Sequence, residues 1–493
     1  MKHTINHEKE LSGKTFLLAL GVAAAFFIPY IVIDQGYFLF FGDFNVQQVP
    51  FYQMCHEMVR SGNIGWNWNT DLGVNFIGSY SFYLLGSPFF WLTLPFPNWM
   101  IPYLMGPLLI LKFATAALTA YLYIRRFTRT PRAAMLGGLL YAFSGFSVYN
   151  IFFNHFHEAI ILFPLLLLSI EWFITENRRG PVCFMVFLCA VSNYFFFFGM
   201  VVFVIIYWFV RMLSGCWKLK FTNFLWLLFE CVLGLLLSAA ILYPSILAIL
   251  QNERVSSFSY GWNAVMYGKE QIYLNIMQCF FFPPDLPARP VFFPNADVKW
   301  SSLGAWLPVF SMVGVFAWMQ GKKGHWLRRI IGIMVLMAAF PFLNSAFYMF
   351  NQAYYARWFY MPILMMCLAT VMACEDREVN WNSAFRWTMG ITLAFSLVIG
   401  FMPSKIENGK ITQFGIFTQS DNSTYIARFW ITCAISIISL IILKFILSYI
   451  RKNPKVFYRL SICTVCIVSV LYAAFFIGSG KLYTFDSKSI MID

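Results

Sequence analysis

The sequence predicts an all-α, polytopic integral membrane protein with about thirteen transmembrane helices. Of its 493 residues, 60% are hydrophobic, 20% are aromatic and only 11% are charged. A water-soluble core of ordinary proportions cannot bury that much apolar surface. The apolar residues form long unbroken runs without strand-like alternation. Because backbone groups in hydrocarbon need internal partners, these runs predict helices rather than a β-barrel.

Apolar windows of about 20 residues mark the predicted spans. The first covers residues 15–33, and the second follows only at 99–123. The remaining windows are 133–153, 159–174, 182–192, 194–213, 224–250, 303–319, 330–350, 359–374, 387–402, 429–450 and 460–477. We therefore expect one transmembrane domain over residues 1–477. The tail at 478–493 is predicted to be extracytoplasmic and could begin a further soluble domain.

The net charge of +14 is explained by sidedness rather than by a nucleic-acid partner. With the N-terminus in the cytoplasm, most of the 35 lysines and arginines fall on the cytoplasmic side, as the positive-inside rule expects. The predicted location is the cell membrane, with the long first loop at 34–98 outside. The 11 cysteines show no metal-ligand spacing.

The first loop concentrates polar side chains among aromatic residues, which indicates a site at the membrane surface. Asp43 stands about ten residues beyond the first span, in FGDFNVQQVPFY. A hydrated carboxylate there could take a proton from an acceptor hydroxyl. Alternatively, Asp43 could cap the helix predicted for VQQVPFYQMCHEMV, because aspartate is a good N-cap.

A second polar group is NHFHE, in the outward turn between the third and fourth predicted spans. His155, His157 and Glu158 could bind a divalent metal with help from another loop, but HxHE alone lacks an established zinc spacing. Interfacial hydrogen bonding is the alternative. We therefore assign no metal site and no cofactor, although a divalent metal stays compatible with these residues.

Three further ionisable residues stand out. Arg357 is the only cation of its outward turn, NQAYYARWFYMP. It could bind a phosphate through two hydrogen bonds or belong to an interfacial aromatic belt. Lys112 and Glu230 lie inside predicted spans, where burial of charge is costly and suggests function. They could instead pair with each other.

Several stretches carry a family resemblance. They are GDFNVQQVPFY and LGVNFIGSYSFYLLGSPFFWLTLPFP in the first loop, YAFSGFSVYNIFFNHFHEAIILFPLLLLSIEWF after it, and then SNYFFFFG, ILYPSILAIL and YYARWFYMP. On these motifs the sequence resembles the bacterial YfhO membrane-protein family over nearly its whole length. The resemblance implies a GT-C-type glycosyltransferase fold with a long first extracytoplasmic loop.

The resemblance also implies an activity and roles for individual residues. The family resembles enzymes that move a sugar from a polyprenyl-phosphate carrier, here undecaprenyl phosphate, to a cell-wall polymer such as lipoteichoic acid or to a glycolipid. Asp43 matches the acidic residue expected to act as base, and Arg357 matches the arginine expected to hold the carrier phosphate. Glu158 stands where the family usually has an aspartate after a tryptophan–leucine pair, which HFHE replaces here.

The candidate site therefore has one catalytic residue, Asp43, and a larger set of residues expected to bind substrate. The substrate-binding set is Arg357, Glu158, His157, His155, Gln47 and Asn75. The rival hypothesis is a multispan transporter or lipid flippase, for which a helical bundle containing Lys112 and Glu230 would suffice. That class predicts paired repeats and helices broken near the bilayer midplane, and the sequence shows neither clearly.

Overall fold

The computed structural model describes residues 2–68, 70, 72–218, 220–250, 258–294, 296–415, 423–482 and 484. Most of these residues are helical, as predicted. In chain order the helices up to the middle of the chain are α1 Lys2–Ile33, α2 Val49–Ser61, α3 Phe76–Tyr80, α4 Pro88–Trp91, α5 Ile101–Ile124, α6 Pro131–Ala142, α7 Gly145–Tyr149, α8 His157–Glu176, α9 Pro181–Ser192, α10 Tyr194–Leu213, α11 Phe221–Leu237 and α12 Ala239–Leu250.

The second half of the chain continues the same pattern. Its helices are α13 Gln271–Phe281, α14 Val313–Gly321, α15 Trp326–Ala339, α16 Pro341–Ser345, α17 Tyr360–Glu375, α18 Trp381–Phe401, α19 Ser423–Leu447 and α20 Pro454–Lys481. Two small antiparallel sheets add β1 Trp66–Asn67 with β2 Val74–Asn75, and β3 Pro403–Glu407 with β4 Lys410–Phe414. Residues 483 and 485–493 of the predicted tail lie outside the described residues.

The helices confirm a multispan membrane protein but not the predicted number of spans. Among the described residues, 7 helices are long and apolar enough to cross a bilayer, or up to 9 if each of two bent helix pairs is one span. The count of about thirteen is not confirmed, because several predicted spans are short helices. The α6 and α9 helices, with 12 residues each, reach about 18 Å at 1.5 Å per residue, which is less than a bilayer core of about 30 Å.

Two predicted spans are interrupted by non-helical backbone where they pack against each other, and in the first of them the short helix α7 follows the break. The window at 133–153 breaks after α6, and the window at 303–319 becomes helical only at α14. Between them, the Gly145 N–H donates to the Trp306 carbonyl at 2.7 Å. A Cβ on Gly304 would meet the Gly145 oxygen at 2.8 Å. This glycine contact lets the two backbones satisfy each other inside the protein, where non-helical backbone is tolerated.

The α5 and α8 helices form the centre of the bundle. They are the most buried of the spanning helices, whereas α1 and α18 are the least buried. The α5 helix packs against α1, α6 and α8, and α6 packs in turn against α17 and α20. A Cβ on Gly106 of α5 would touch Ile31 of α1, so the start of α5 lies beside the end of α1.

Each end of the bundle has its own set of polar contacts between loops. At the end that carries the N-terminus, contacts join Arg126 to Glu176, the Thr130 N–H to Glu375, and Lys322 to Asp376. At the opposite end, contacts join Lys481 to Asp34, the Tyr149 hydroxyl to the Lys299 carbonyl, and Arg428 to the Arg289 carbonyl. Each contact joins segments that are distant in sequence but lie at the same end of the bundle.

The second half of the first loop is a chain of short helical pieces that lies against the bundle. The α3 helix continues into a π-helical turn over Ser81–Leu85 and then into α4. The Ser81 hydroxyl contacts the Ser245 hydroxyl of α12 at 2.7 Å. A Cβ on Gly86 would meet the Val191 carbonyl oxygen of α9 at 1.7 Å, so this close approach requires glycine.

Candidate functional site

Asp43 lies in a closed loop shortly after α1. Gly42 precedes it with a φ of +60°, and a Cβ on Gly42 would meet the Phe152 ring at 2.5 Å. Glycine alone suits both that backbone conformation and that space. The Asn45 side chain closes the loop by bonding to the backbone N–H and C=O of Phe40. Asp43 is thereby held beside the turn between α7 and α8.

The Asp43 carboxylate is not used as a helix cap. A π-helical turn over Phe44–Gln48 begins directly after it, but the Asp43 side chain makes no capping hydrogen bond. The capping alternative is therefore wrong. Burial raises the pKa of Asp43 above its ordinary value of 3.8, and the positive charge of Arg357 lowers it in part. The two groups thus act on each other electrostatically although they come from distant parts of the chain.

The residues on both sides of Arg357 are anchored by hydrogen bonds. The preceding Ala356 N–H donates to the Ser301 carbonyl at 2.8 Å. The following Trp358 donates its indole N–H to the Asn344 side-chain oxygen at 2.7 Å. These bonds to two separate segments limit how far the arginine can move.

Four aromatic rings surround the Arg357 guanidinium. Its carbon lies 4.0 Å from the ring centre of Tyr355, and the rings of Phe156, Phe195 and Phe153 follow at 5.2, 5.6 and 5.9 Å. Ring faces stabilise a cation, but they leave its N–H donors unsatisfied. The Arg357 Nε finds no acceptor among the described residues. The guanidinium is therefore positively charged, enclosed and available to an anion.

The side chains of Gln47, Tyr83 and His155 form a polar wall between Asp43 and Arg357. Gln47 Nε2 lies 3.3 Å from the Tyr83 hydroxyl, and the Tyr83 and His155 ring centres are 5.2 Å apart. Burial and the Asp43 charge raise the pKa of Tyr83, whereas Arg357 lowers it. Neither ring nitrogen of buried His155 has a partner within the described part of the chain. The structure thus brings Asp43, Arg357, Gln47 and His155 to one place.

Glu158 is buried behind this wall in an ion pair. Its Oε1 lies 2.8 Å from Lys112 Nζ and accepts a hydrogen bond from the Ser87 hydroxyl. Lys112 also donates to the backbone and side-chain oxygens of Asn154, at 3.0 and 2.9 Å. Lys112 thus pairs with Glu158 and not with Glu230, whose carboxylate accepts backbone N–H groups at the start of α9.

The ion pair fixes the elements that form the wall. Asn154 begins the short 3-10 helix Asn154–Phe156, which carries the His155 ring and one ring of the Arg357 enclosure. Ser87 is the N-cap of α4 and accepts the backbone N–H groups of Phe89 and Phe90. Lys112 and Glu158 therefore connect α5, α8 and the first loop at one point.

The two remaining candidate residues have local partners. His157 is fully buried, and its ring centre is 4.9 Å from that of Phe113, on the α5 side of the turn. Asn75 is exposed and caps α3, where its side-chain oxygen accepts the Gly78 N–H at 2.7 Å.

Throughout the described ranges, no group of three or more His, Cys, Asp or Glu residues is placed to hold a metal ion.

The structure adds Tyr83, Tyr355 and Lys112 to the site or its support. Tyr83 lies in the SFYLLG run of the first loop, and Tyr355 stands two residues before Arg357. Their positions inside the family motifs were the available signal for both. For Lys112 the signal was its charge inside an apolar helix, which indicates a partner but does not identify it.

The fold defines a class: a multispan membrane protein with an ArnT-like GT-C fold. The structure of ArnT from Cupriavidus metallidurans bound to undecaprenyl phosphate aligns with a TM-score of 0.54 and 11% identity, covering 96% of this chain and 78% of that one. The apo form of ArnT aligns with a TM-score of 0.48 and 12% identity, covering 98% and 78%. At 11% identity the first of these alignments shows the fold alone.

The chain itself belongs to the family described as "Bacterial membrane protein YfhO", which matches residues 15–489. This match confirms the resemblance drawn from the motifs. A search of curated proteins finds no significant match.

The buried ion pair yields a prediction about stability. Replacing Lys112 with Met leaves the Glu158 carboxylate without its charged partner, and we expect a loss of about 3 kcal/mol, as is usual when one member of a buried pair is removed. Thermal unfolding of the purified protein should show a lowered Tm.

The matched variants are Lys112→Arg, which keeps the charge, and the double variant Lys112→Met with Glu158→Gln. The double variant should recover part of the loss, because it no longer buries an unpaired charge. Additive effects of the two single substitutions would contradict coupling between the residues.

Proposed function

We propose that this protein is a membrane glycosyltransferase that transfers a sugar from an undecaprenyl-phosphate donor to an extracytoplasmic cell-wall polymer such as lipoteichoic acid. The observation that carries the proposal is that Asp43 and the ring-enclosed Arg357 guanidinium lie near each other at one end of a fold shared with ArnT, where the positive charge of Arg357 lowers the pKa of Asp43. A proton acceptor and a phosphate-binding cation are the two groups that this transfer requires.

The reaction assigns a separate task to each of these groups. The acceptor hydroxyl oxygen attacks the anomeric carbon of the donor sugar, and the bond from that carbon to the phosphate oxygen breaks. Asp43 accepts the hydroxyl proton as the new bond forms, a role that contributes about 10²- to 10⁴-fold. The departing polyprenyl phosphate gains negative charge, which the Arg357 guanidinium stabilises.

The surroundings of Arg357 suit a phosphate attached to a lipid. Its enclosure of rings reduces its contact with water and so strengthens the attraction between the guanidinium and an anion. The next two residues, Trp358 and Phe359, line an apolar cleft of about 170 Å³ together with Met334 and Pro362. In this proposal the phosphate binds Arg357, and the start of the polyprenyl chain enters sideways between helices along the cleft.

The other candidate residues orient the substrates. Gln47 and His155 are assigned hydrogen bonds to sugar hydroxyls, because the amide lies at the wall and the His155 ring nitrogens have free capacity. Glu158 and His157 act from behind the wall by holding its shape. Asn75 is assigned to the rim of the first loop, where its exposed position could meet the acceptor polymer. No step requires a metal ion.

The proposed location is the cell membrane, with the N-terminus in the cytoplasm and the site outside. The carrier-linked sugar and the wall polymer would then meet at the outer leaflet. This orientation rests on the excess of lysine and arginine at the N-terminal end of the bundle.

One structural observation favours the rival class of transporter or flippase. The α11 and α12 helices meet at a bend of 73°, and α15 meets the segment Pro341–Tyr348 at 107°. Bent or broken spans are common around transporter binding sites. A proline accounts for part of the second bend, since Pro341 starts the segment that follows it. The experiments below separate the two classes.

Asp43→Asn tests the proton acceptor. The amide keeps the shape of the side chain but is a far weaker base, so we expect sugar transfer to fall about 10²- to 10⁴-fold. The measurement is transfer of labelled sugar from a panel of undecaprenyl-phosphate hexoses to lipoteichoic acid in proteoliposomes.

Glu57→Gln is the matched control, because Glu57 is an exposed acid of the same loop. It should transfer at the wild-type rate. If Asp43→Asn also keeps the wild-type rate, Asp43 is not the base. If the wild-type protein transfers no sugar but moves labelled lipid across the bilayer, the result supports the flippase hypothesis instead.

Arg357→Gln tests the phosphate site. Loss of charge-assisted hydrogen bonds should weaken binding of undecaprenyl phosphate by about tenfold or more, while Arg357→Lys should keep part of the affinity because it keeps the charge. The Kd can be measured by quenching of tryptophan fluorescence. The control is Arg289→Gln, because Arg289 is an exposed arginine at the same end of the bundle. This variant should bind undecaprenyl phosphate as the wild type does. Equal losses of affinity in both variants would show that general surface charge attracts the ligand.

The raised pKa of Asp43 predicts an acid limb in the pH profile. As pH falls, the Asp43 carboxyl becomes protonated and can no longer accept a proton. The midpoint of this protonation lies at a pH above 3.8, because the pKa of Asp43 is raised above that ordinary value. We expect kcat/KM to fall tenfold per pH unit below that midpoint. Because Arg357 lowers the pKa of Asp43, the midpoint should move to higher pH in Arg357→Gln. An unmoved midpoint would show that the two groups do not interact.

A further inference from the structure

A crevice of about 630 Å³ opens at the N-terminal end of the bundle, far from the site described above. It lies between the start of α18 and the turn that joins α19 to α20. Because these helix ends mark where spans leave the hydrocarbon, the crevice lies at the level of the lipid headgroups. Three cationic side chains line it: Lys444, Arg451 and Lys452.

The three cations have no carboxylate partner among the described residues. Lys444 donates to the neutral amide oxygen of Asn382 at 2.9 Å, and Arg451 donates to the backbone carbonyl of Arg377 at 2.9 Å. The one acid that lines the crevice is Glu378. Its carboxylate lies 3.3 Å from Lys322, outside the crevice, so the positive charge of the crevice is left uncompensated.

A neighbouring cavity of about 470 Å³ shows the opposite arrangement. Its lining combines three basic side chains, Arg129, Lys322 and Arg377, with three acidic ones, Glu375, Asp376 and Glu378. Lys322 and Asp376 form an ion pair at 2.7 Å. Positive and negative charges are therefore balanced in this cavity and unbalanced in the crevice. The excess of positive charge is thus a local property of the crevice and not of the whole surface at this end of the bundle.

We propose that this crevice binds the headgroup of an anionic phospholipid. A phosphate at the headgroup level would compensate Arg451 and Lys452, and basic pockets between transmembrane helices suit such headgroups. Leu447 and Ile450 supply apolar lining for the glycerol and the first methylenes. The occupant would hold the α19–α20 turn against the start of α18. This inference is independent of the proposed glycosyltransferase activity.

The test compares lipid binding by two charge-matched double variants of the full chain. Arg451→Gln with Lys452→Gln removes two cations from the crevice, whereas Lys455→Gln with Arg459→Gln removes two exposed cations at the start of α20 that are not part of its lining. The probe is phosphatidylglycerol added to detergent-purified protein, with phosphatidylcholine as the neutral reference. Retained lipid is counted by native mass spectrometry, and Tm is recorded in parallel.

We expect phosphatidylglycerol, but not phosphatidylcholine, to bind the wild type and the α20 variant. The crevice variant should bind about 30-fold more weakly, since each basic side chain near an anionic surface contributes about fivefold. Arg451→Lys with Lys452→Arg keeps both charges and should bind as the wild type, which separates loss of charge from misfolding.

Three outcomes would overturn the proposal. In the first, the crevice variant binds phosphatidylglycerol as tightly as the wild type. In the second, both charge-removing variants lose binding equally, which would mean that diffuse surface charge attracts the lipid. In the third, glycerol 3-phosphate without acyl chains gives the same protection of Tm as the lipid, which would assign the crevice to a soluble anion.

Discussion

The ion pair between Lys112 and Glu158 is the constraint on which the end of the bundle that carries the candidate site depends. Both groups are fully or almost fully buried, and unpaired they would be intolerable at that depth. Their partners, Ser87 and Asn154, come from the first loop and from the turn before α8. One charge interaction therefore sets the relation between two central helices and the loop that carries Asp43.

The charged residues fall into two groups that differ in how they are satisfied. Buried charges have dedicated partners, as the pairing of Arg211 with Glu171 at 2.9 Å also shows. Asp43 and Arg357 instead keep hydrogen-bonding capacity while their positions are fixed by glycine geometry, backbone bonds and aromatic rings. A rigid support around unsatisfied polar groups is the arrangement that a binding site requires, because a ligand then supplies the missing partners.

Hydropathy predicted the class of fold well and the individual spans less well. Long helices such as α5 and α20 agree with their apolar windows because hydrocarbon length and helix rise dictate about 20 residues. The windows at 133–153 and 303–319 were misjudged because their apolar residues serve protein packing. There the Gly145 N–H at the start of α7 bonds to the Trp306 carbonyl, beside the close contact with Gly304, and hydropathy does not distinguish lipid-facing from protein-facing segments.

By itself, the sequence determined the membrane class, the family, the sorting of charges between the two ends and the candidacy of Asp43 and Arg357. Hydropathy, charge and motifs are properties of short stretches, so they can be recognised along the chain. The tertiary structure alone decided that Glu158 is the partner of Lys112 and that Asp43 is no helix cap. It also decided that Arg357 lies among rings from three segments. Those outcomes depend on which distant segments pack together, and no local pattern encodes that choice.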